Sequence, residues 1–283
     1  MPQSTFMVVI DPTSDNQPAL KRAEQLAVDS GARLHLFCCY QPEDISDFHS
    51  RRDAKHSTLI DVRLRLEELA NPLREEGIEV SCEAYWNQNW QESVVHACSR
   101  VAAATVIKST YCHSGFLQHL KKRSDFTLLR KAPCATLLVK DDSPWLNQRI
   151  LAAINVDSAD TEHDTLNNAI VAEAQRLARV TQSDLHLVAA MDHTANMADV
   201  LGLLEEDNHS REDAIAERFG VNPDRVHIRD SKATDAILSV AQDTNADLLV
   251  IGTVARHGLK AALIGNTAEK ILDQLDIDIL TVS

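Results

Sequence analysis

The stretch Asp247-Leu248-Leu249-Val250-Ile251-Gly252 decides how this chain folds. It is a short apolar run that ends on glycine, which reads as a strand buried on both faces. A loop follows from Thr253 to Gly265, and a helix opens at Asn266-Thr267-Ala268-Glu269. Strand, glycine loop and helix start in line make a candidate phosphate site. A helix N-terminus presents unpaired N–H groups and a partial positive charge. Gly252 would let a ligand approach the strand end closely, although many α/β proteins have a glycine after a strand for packing reasons. Asn266 with Glu269 three residues on also makes a helix cap, which competes with a phosphate role for Asn266.

The run has an answer in the first half of the chain, at an offset of about 144 residues, the scale of a whole domain. Ala104-Thr105-Val106-Ile107-Lys108 answers it, with Lys108 where the glycine would stand. Phe6-Met7-Val8-Val9-Ile10-Asp11 likewise answers Ile150-Leu151-Ala152-Ala153-Ile154-Asn155. Gly31-Ala32-Arg33-Leu34-His35-Leu36 answers Gln182-Ser183-Asp184-Leu185-His186-Leu187, and Cys134–Val139 answers Ile277–Val282. Helical patterns lie between the runs: Pro18–Asp29, Asp53–Glu76, Gln91–Ala103 and Ser124–Lys131, then Glu162–Thr181, Glu205–Phe219, Thr234–Thr244 and Asn266–Gln274. In the fifth of these, Leu166, Ile170, Val171, Ala174, Leu177 and Ala178 fall on one stripe. Leu59, Val62, Leu66 and Leu69 do so in the second. Alternating strands and helices predict an α/β fold with parallel sheets covered on both faces. The polar turn Lys140-Asp141-Asp142-Ser143-Pro144-Trp145 marks a boundary between domains 1–142 and 147–283.

The loop Gly252-Thr253-Val254-Ala255, nine residues, Gly265-Asn266-Thr267 resembles the nucleotide loop of the universal stress protein family, Gly-x-x-Gly-(nine residues)-Gly-Ser/Thr. Ala255 replaces the second glycine, and Asn266 replaces the hydroxyl residue. Val8-Val9-Ile10-Asp11-Pro12 with Gln17-Pro18-Ala19-Leu20, Leu128–Cys134 and Leu263–Glu269 resemble the tandem-domain, E type of that family, so the resemblance spans the chain. It implies a five-stranded sheet in the order 3-2-1-4-5 in each half, and an internal pseudo-dimer docked through the fifth strands. It implies a nucleotide site in the second half built from Asp157, Gly252, Thr253, Gly265, Asn266 and Thr267, with ATP and magnesium as the ligand. Asp157 matches the family aspartate near the ribose, but could equally cap its own loop.

In the first half the motif is degenerate: Ser109–Gly115 does not reproduce the spacing, and Lys121-Lys122-Arg123 stands where the glycine–serine element belongs. Lys108 and Asp11 would end neighbouring strands, so an ion pair closing an empty crevice is expected there.

Composition narrows the function. With 44% apolar and 25% charged residues, the sequence is that of a globular protein. A net charge of −14 argues against nucleic acid and against an anionic membrane surface. No signal peptide and no long apolar span is visible, which predicts a cytoplasmic protein. The six cysteines, Cys38, Cys39, Cys82, Cys98, Cys112 and Cys134, form no C-x-x-C pair and read as reduced thiols. Cys112-His113 with His119 matches no standard zinc spacing, so no metal is expected.

His35 and His186 occupy equivalent positions, which points to a structural place rather than an acid–base pair. No catalytic constellation is present. The reading is a non-catalytic stress-response protein that holds or senses a small ligand and acts through association. The alternatives are an ATP-binding protein with slow hydrolysis or autophosphorylation, and a ligand-free scaffold, with a homodimer open in each case.

Overall fold

A computed structural model describes residues 3–110, 127–156, 161–191, 208–253 and 266–282. The chain divides into two compact units, residues 1–144 and 145–283.

In the first unit, β1 (Thr5–Val9), β2 (Arg33–Cys39), β3 (Val80–Tyr85), β4 (Thr105–Ser109) and β5 (Ala135–Val139) alternate with α1 (Pro18–Ser30), α2 (Arg51–Glu75), α3 (Trp90–Arg100) and a helix α4 described over 127–131. The strands run parallel in the order β3-β2-β1-β4-β5. The second unit repeats this with β6 (Arg149–Ile154), β7 (Asp184–Ala190), β8 (Val226–Arg229), β9 (Leu248–Gly252) and β10 (Asp278–Val282). Its helices are α5 (Thr161–Thr181), α6 (Asn208–Phe219), α7 (Ala233–Asp243) and α8 (Asn266–Gln274). Its order is β8-β7-β6-β9-β10, again parallel. Both are the expected 3-2-1-4-5.

The central strands are the apolar runs of the sequence. Met7, Val8, Leu36, Val106, Leu151, Ala152, Leu249 and Val250 are wholly buried. Continuous apolar strands follow from helices on both faces. The outer strand β3 departs from this, since none of its residues is fully buried, and its mixed run Val80-Ser81-Cys82-Glu83-Ala84-Tyr85 gives only a weak strand signal.

In α2 the buried stripe is Ala54, Thr58, Val62, Leu66, Ala70 and Leu73. Leu59 and Leu69 of the expected stripe are only half-buried. In α5, Ile170, Val171, Ala174 and Leu177 are buried, whereas Leu166 and Ala178 lie at its margin.

The backbone records the repeat at its joints. Gly31 (φ 68°) and Gln182 (φ 54°) each turn the first helix of a unit into its second strand, and Ala102 (φ 48°) and Asn245 (φ 46°) each precede a fourth strand. A left-handed residue costs a side chain roughly 1–2 kcal/mol, so the joint is held by the fold even where glycine is missing.

Candidate functional site

The sheet order reverses at β1/β4 in the first unit and at β6/β9 in the second, and ligands of such sheets bind beyond these carboxyl ends. At both places a buried side-chain amide finishes the first strand. Asp11 N–H donates to Gln17 Oε1 at 3.1 Å, and Gln17 Nε2 donates to Asp11 O at 2.8 Å. In the second unit, Asn155 N–H donates to Asn167 Oδ1 at 3.0 Å, and Asn167 Nδ2 donates to Asn155 O at 2.7 Å. Gln17 and Asn167 are 5% and 4% exposed, so each is a buried amide that pairs with both the N–H and the C=O of the residue just past the first strand. Sequence reading quoted Gln17 only as part of the family resemblance, without this role, and passed over Asn167. The signal available was an amide residue downstream of Asp11 and Asn155, too common a residue type to single out.

Strand register aligns the two halves residue by residue. Ser109 pairs with Val139 as Gly252 pairs with Val282, and the next residues, Thr110 and Thr253, donate their N–H to Val139 O and Val282 O at 2.7 and 2.8 Å. Ser109 is therefore the counterpart of Gly252, and Lys108 that of Ile251. The expected equivalence of Lys108 with the glycine was one residue out, because short apolar runs align equally well in neighbouring registers.

The two counterparts meet the first helix of their units differently. Ser109 Oγ accepts the N–H of Ala19 at 2.9 Å and so caps α1. At Gly252, a Cβ would lie 2.6 Å from Leu166 Cδ2, 2.8 Å from Leu166 Cγ and 3.0 Å from Ile170 Cδ1. Gly252 thus lets α5 pack close against β9. Thr253 is 8% exposed, and its hydroxyl also donates to Val282 O at 3.3 Å, so it ties β9 to β10.

Lys108 and Asp11 do not form the expected ion pair. Lys108 Nζ donates to Ser109 O at 2.8 Å and stands 5.5 Å from the centre of the Trp90 ring. Asp11 Oδ1 accepts from Thr13 N–H at 2.9 Å and from its hydroxyl at 2.6 Å, closing its own turn.

Of the remaining expected site residues, Asn266 and Thr267 form the start of α8. Their side chains fall outside the described residues, as do Asp157, Ala255 and Gly265, the loop charges Arg256 and His257, the basic run Lys121-Lys122-Arg123, and the cluster Cys112, His113 and His119.

The model of the universal stress protein family matches residues 4–140 and 147–283. The chain belongs to that family. Universal stress protein E of Escherichia coli K12 is 29% identical over 98% of this chain and 93% of its own length. The Haemophilus influenzae homologue of universal stress protein E is 29% identical over 98% and 96%. Among solved structures, a functionally unknown protein of Pseudomonas aeruginosa PAO1 superposes with a TM-score of 0.77 at 31% identity, over 99% of this chain and 92% of that one.

Within this universal stress protein fold, the equivalent histidines of the second strands have acquired different partners. His35 Nδ1 lies 2.9 Å from Ser81 Oγ, and His35 Nε2 lies 3.3 Å from Glu83, which Arg100 also engages. His186 Nδ1 lies 3.0 Å from His227 Nε2, with the rings stacked at 14°. Burial lowers His186 to about 4, aided by the charges of His227, Arg225 and Arg149. Burial, with Arg229 next, lowers His227 as well. A pair that must share one proton at most is a structural bridge between β7 and β8.

Among the described residues, no three of His, Cys, Asp and Glu gather as a metal site, and no helix is long and apolar enough to cross a membrane. An open groove of about 420 Å³, with Gln175, Arg179, Phe219 and Arg225 among its lining residues, lies at the N-terminal end of β7. That is the opposite edge of the sheet from the strand reversal, and it is not the site the fold points to.

Proposed function

We propose that this universal stress protein is a non-catalytic ligand-holding protein that acts through association, with its ligand confined to the C-terminal unit. The observation that carries this reading is the engagement of the strand-end side chains at the reversal point of the N-terminal unit. There Ser109 caps α1 where the C-terminal unit has Gly252, and Lys108 turns onto Ser109 O and the Trp90 ring where that unit has Ile251.

In the C-terminal unit, Gly252 and Thr253 serve packing and strand pairing, so an anionic ligand would be met at the start of α8, by Asn266 and Thr267, with Asp157 toward a ribose. Such a site has lost part of the family loop, and ATP with magnesium binds it weakly.

Calorimetric titration of the full chain with ATP and magnesium tests this, alongside mass spectrometry of any small molecule that copurifies. The expected result is one weak site, weakened further by Thr267→Ala, with no phosphate released. Two equivalent sites, or turnover of ATP, would overturn it. The ligand-free scaffold is the second reading, favoured by the engagement of Gly252 and Thr253 within the fold itself. It predicts no titratable site and no copurifying molecule.

A further inference from the structure

Of the two equivalent histidines in the second strands, His35 has a hydroxyl at one ring nitrogen and a carboxylate at the other. Ser81 Oγ lies 2.9 Å from Nδ1, and Glu83 Oε2 lies 3.3 Å from Nε2. At His186 the Nδ1 partner is the ring of His227. His35 stands two residues before Phe37 in β2, Ser81 pairs with it across to β3, and Glu83 stands two residues further on. All three therefore share the face of the sheet that α3 covers. Arg100, the last residue of α3, engages Glu83 beside them. His35 is 7% exposed, whereas Ser81 opens to solvent on the outer strand.

The geometry fixes the proton positions. An ionised carboxylate only accepts, so Nε2 carries the hydrogen and Nδ1 turns its lone pair to the Ser81 hydroxyl. Leu34 O, at 3.5 Å, is a weaker acceptor for that hydroxyl. Burial holds His35 below its ordinary 6.5 against the pull of Glu83, so the ring is a free base at neutral pH. A surface nucleophile, a neutral base and a carboxylate that orients the base stand in line.

We propose that Ser81 is a covalent acylation site whose donor is an activated acyl compound, a thioester or an aryl ester. His35 is the base, and Glu83 is the positioning residue. Ser81 Oγ attacks the acyl carbon, its hydroxyl proton passes to His35 Nδ1, and the bond from the acyl carbon to the leaving group breaks. The leaving group takes the proton from His35, so one serine and one donor give a serine ester and a free thiol or phenol. The new ester has a poorer leaving group than its donor, so it persists. A phosphoryl donor suits the place less, because phosphoryl transfer needs cations on the moving group. Here Arg100 is engaged by Glu83, and Arg33 lies 3.9 Å from Glu79, the carboxylates two residues to either side of Ser81.

The test treats the full chain with p-nitrophenyl acetate and maps the acetyl group by mass spectrometry. Wild type should gain one acetyl ester, on Ser81, with one nitrophenolate released for it. Ser81→Ala, an exposed change, should fold as wild type and lose this group. His35→Gln should slow acetylation of Ser81 by about a hundredfold or more, the weight of a general base. In wild type the rate should rise with pH and level off once His35 is neutral. The charged groups acting on His35 are Glu83, which favours the protonated ring, and Arg100, which opposes it. Glu83→Gln should therefore move the levelling to lower pH while still holding the Nε2 hydrogen, and this shift decides the matter if His35→Gln proves unstable. Acetyl groups confined to lysines, equally fast labelling of Ser81 in a folded His35→Gln, or an unmoved profile in Glu83→Gln would overturn the proposal. Nitrophenolate release beyond one equivalent that Ser81→Ala abolishes would overturn it as well, in favour of turnover.

Discussion

Gly252→Ala separates packing from ligand approach at the residue that dominates the sequence reading. Gly252 sits in β9 paired with Val282, with no positive φ, so its backbone would accept alanine. In open space that change would stabilise by about 0.4–1 kcal/mol through the unfolded chain. Here the added methyl would stand 2.6 and 2.8 Å from two Leu166 carbons and 3.0 Å from Ile170 Cδ1. Carbon atoms pack best at about 3.5–4.0 Å, so the overlap is roughly 1 Å at Leu166. Leu166 lies at the margin of the core and can turn, whereas Ile170 is 2% exposed and holds its place. Overpacking of this kind costs about 1–3 kcal/mol and outweighs the unfolded-state gain. Gly252→Ala should therefore destabilise the C-terminal unit by about 1–2 kcal/mol, and Leu166→Ala should remove most of that penalty as a coupling of about 1 kcal/mol or more. Hydrogen exchange at the β9 and β10 amides reads this directly, because a two-domain chain has no single unfolding free energy. A neutral or stabilised Gly252→Ala, or strict additivity with Leu166→Ala, would refute the packing assignment. Loss of ligand binding at unchanged stability would return Gly252 to the ligand.

Three further outcomes are expected. His186, held near 4 in the fold against an ordinary 6.5, takes up its proton first in the unfolded chain. Its contribution is thus intact above about pH 6.5 and lost as pH falls toward about 4. After allowance for the half-exposed ring this amounts to about 1 kcal/mol, and His186→Gln should flatten the acid side of the stability–pH curve. Asn167→Ala should cost about 1–2 kcal/mol, because it removes two hydrogen bonds to the Asn155 peptide, and Gln17→Ala should do the same for Asp11, both read by exchange in the affected unit. Ala255→Gly with Asn266→Ser should raise ATP affinity about tenfold to a few hundredfold, one or two charge-assisted hydrogen bonds at about 1.5–3 kcal/mol each, measured by calorimetry. A folded double variant that still binds no ATP would remove these two positions as the cause of weakness.

The parallel sheets, the helix positions and the repeat are legible in the sequence for one reason. A strand covered on both faces must be apolar at every position, and Met7–Val8, Leu151–Ala152 and Leu249–Val250 are. Where that condition lapses, legibility lapses with it. The outer strand β3 carries Ser81 and Glu83, and the four-residue β8 carries His227 and Arg229, so neither stands out as an apolar run. The helices read well because their apolar spacing is set by the same sheets, and the pattern places α8 at Asn266–Gln274 as found.

The site is a different matter, since its logic depends on which residues stand opposite one another. Sequence alone could say that a glycine follows β9 and that a helix starts after the loop. It could not say that Leu166 fills the space above Gly252, that Ser109 is the residue in the same place of the other unit, or that Gln17 and Asn167 complete the first strands. Composition and periodicity determined the class of fold, because burial is a property each segment carries along its own length. Register and helix approach decided the roles of single residues, because those depend on contacts between segments far apart in the chain.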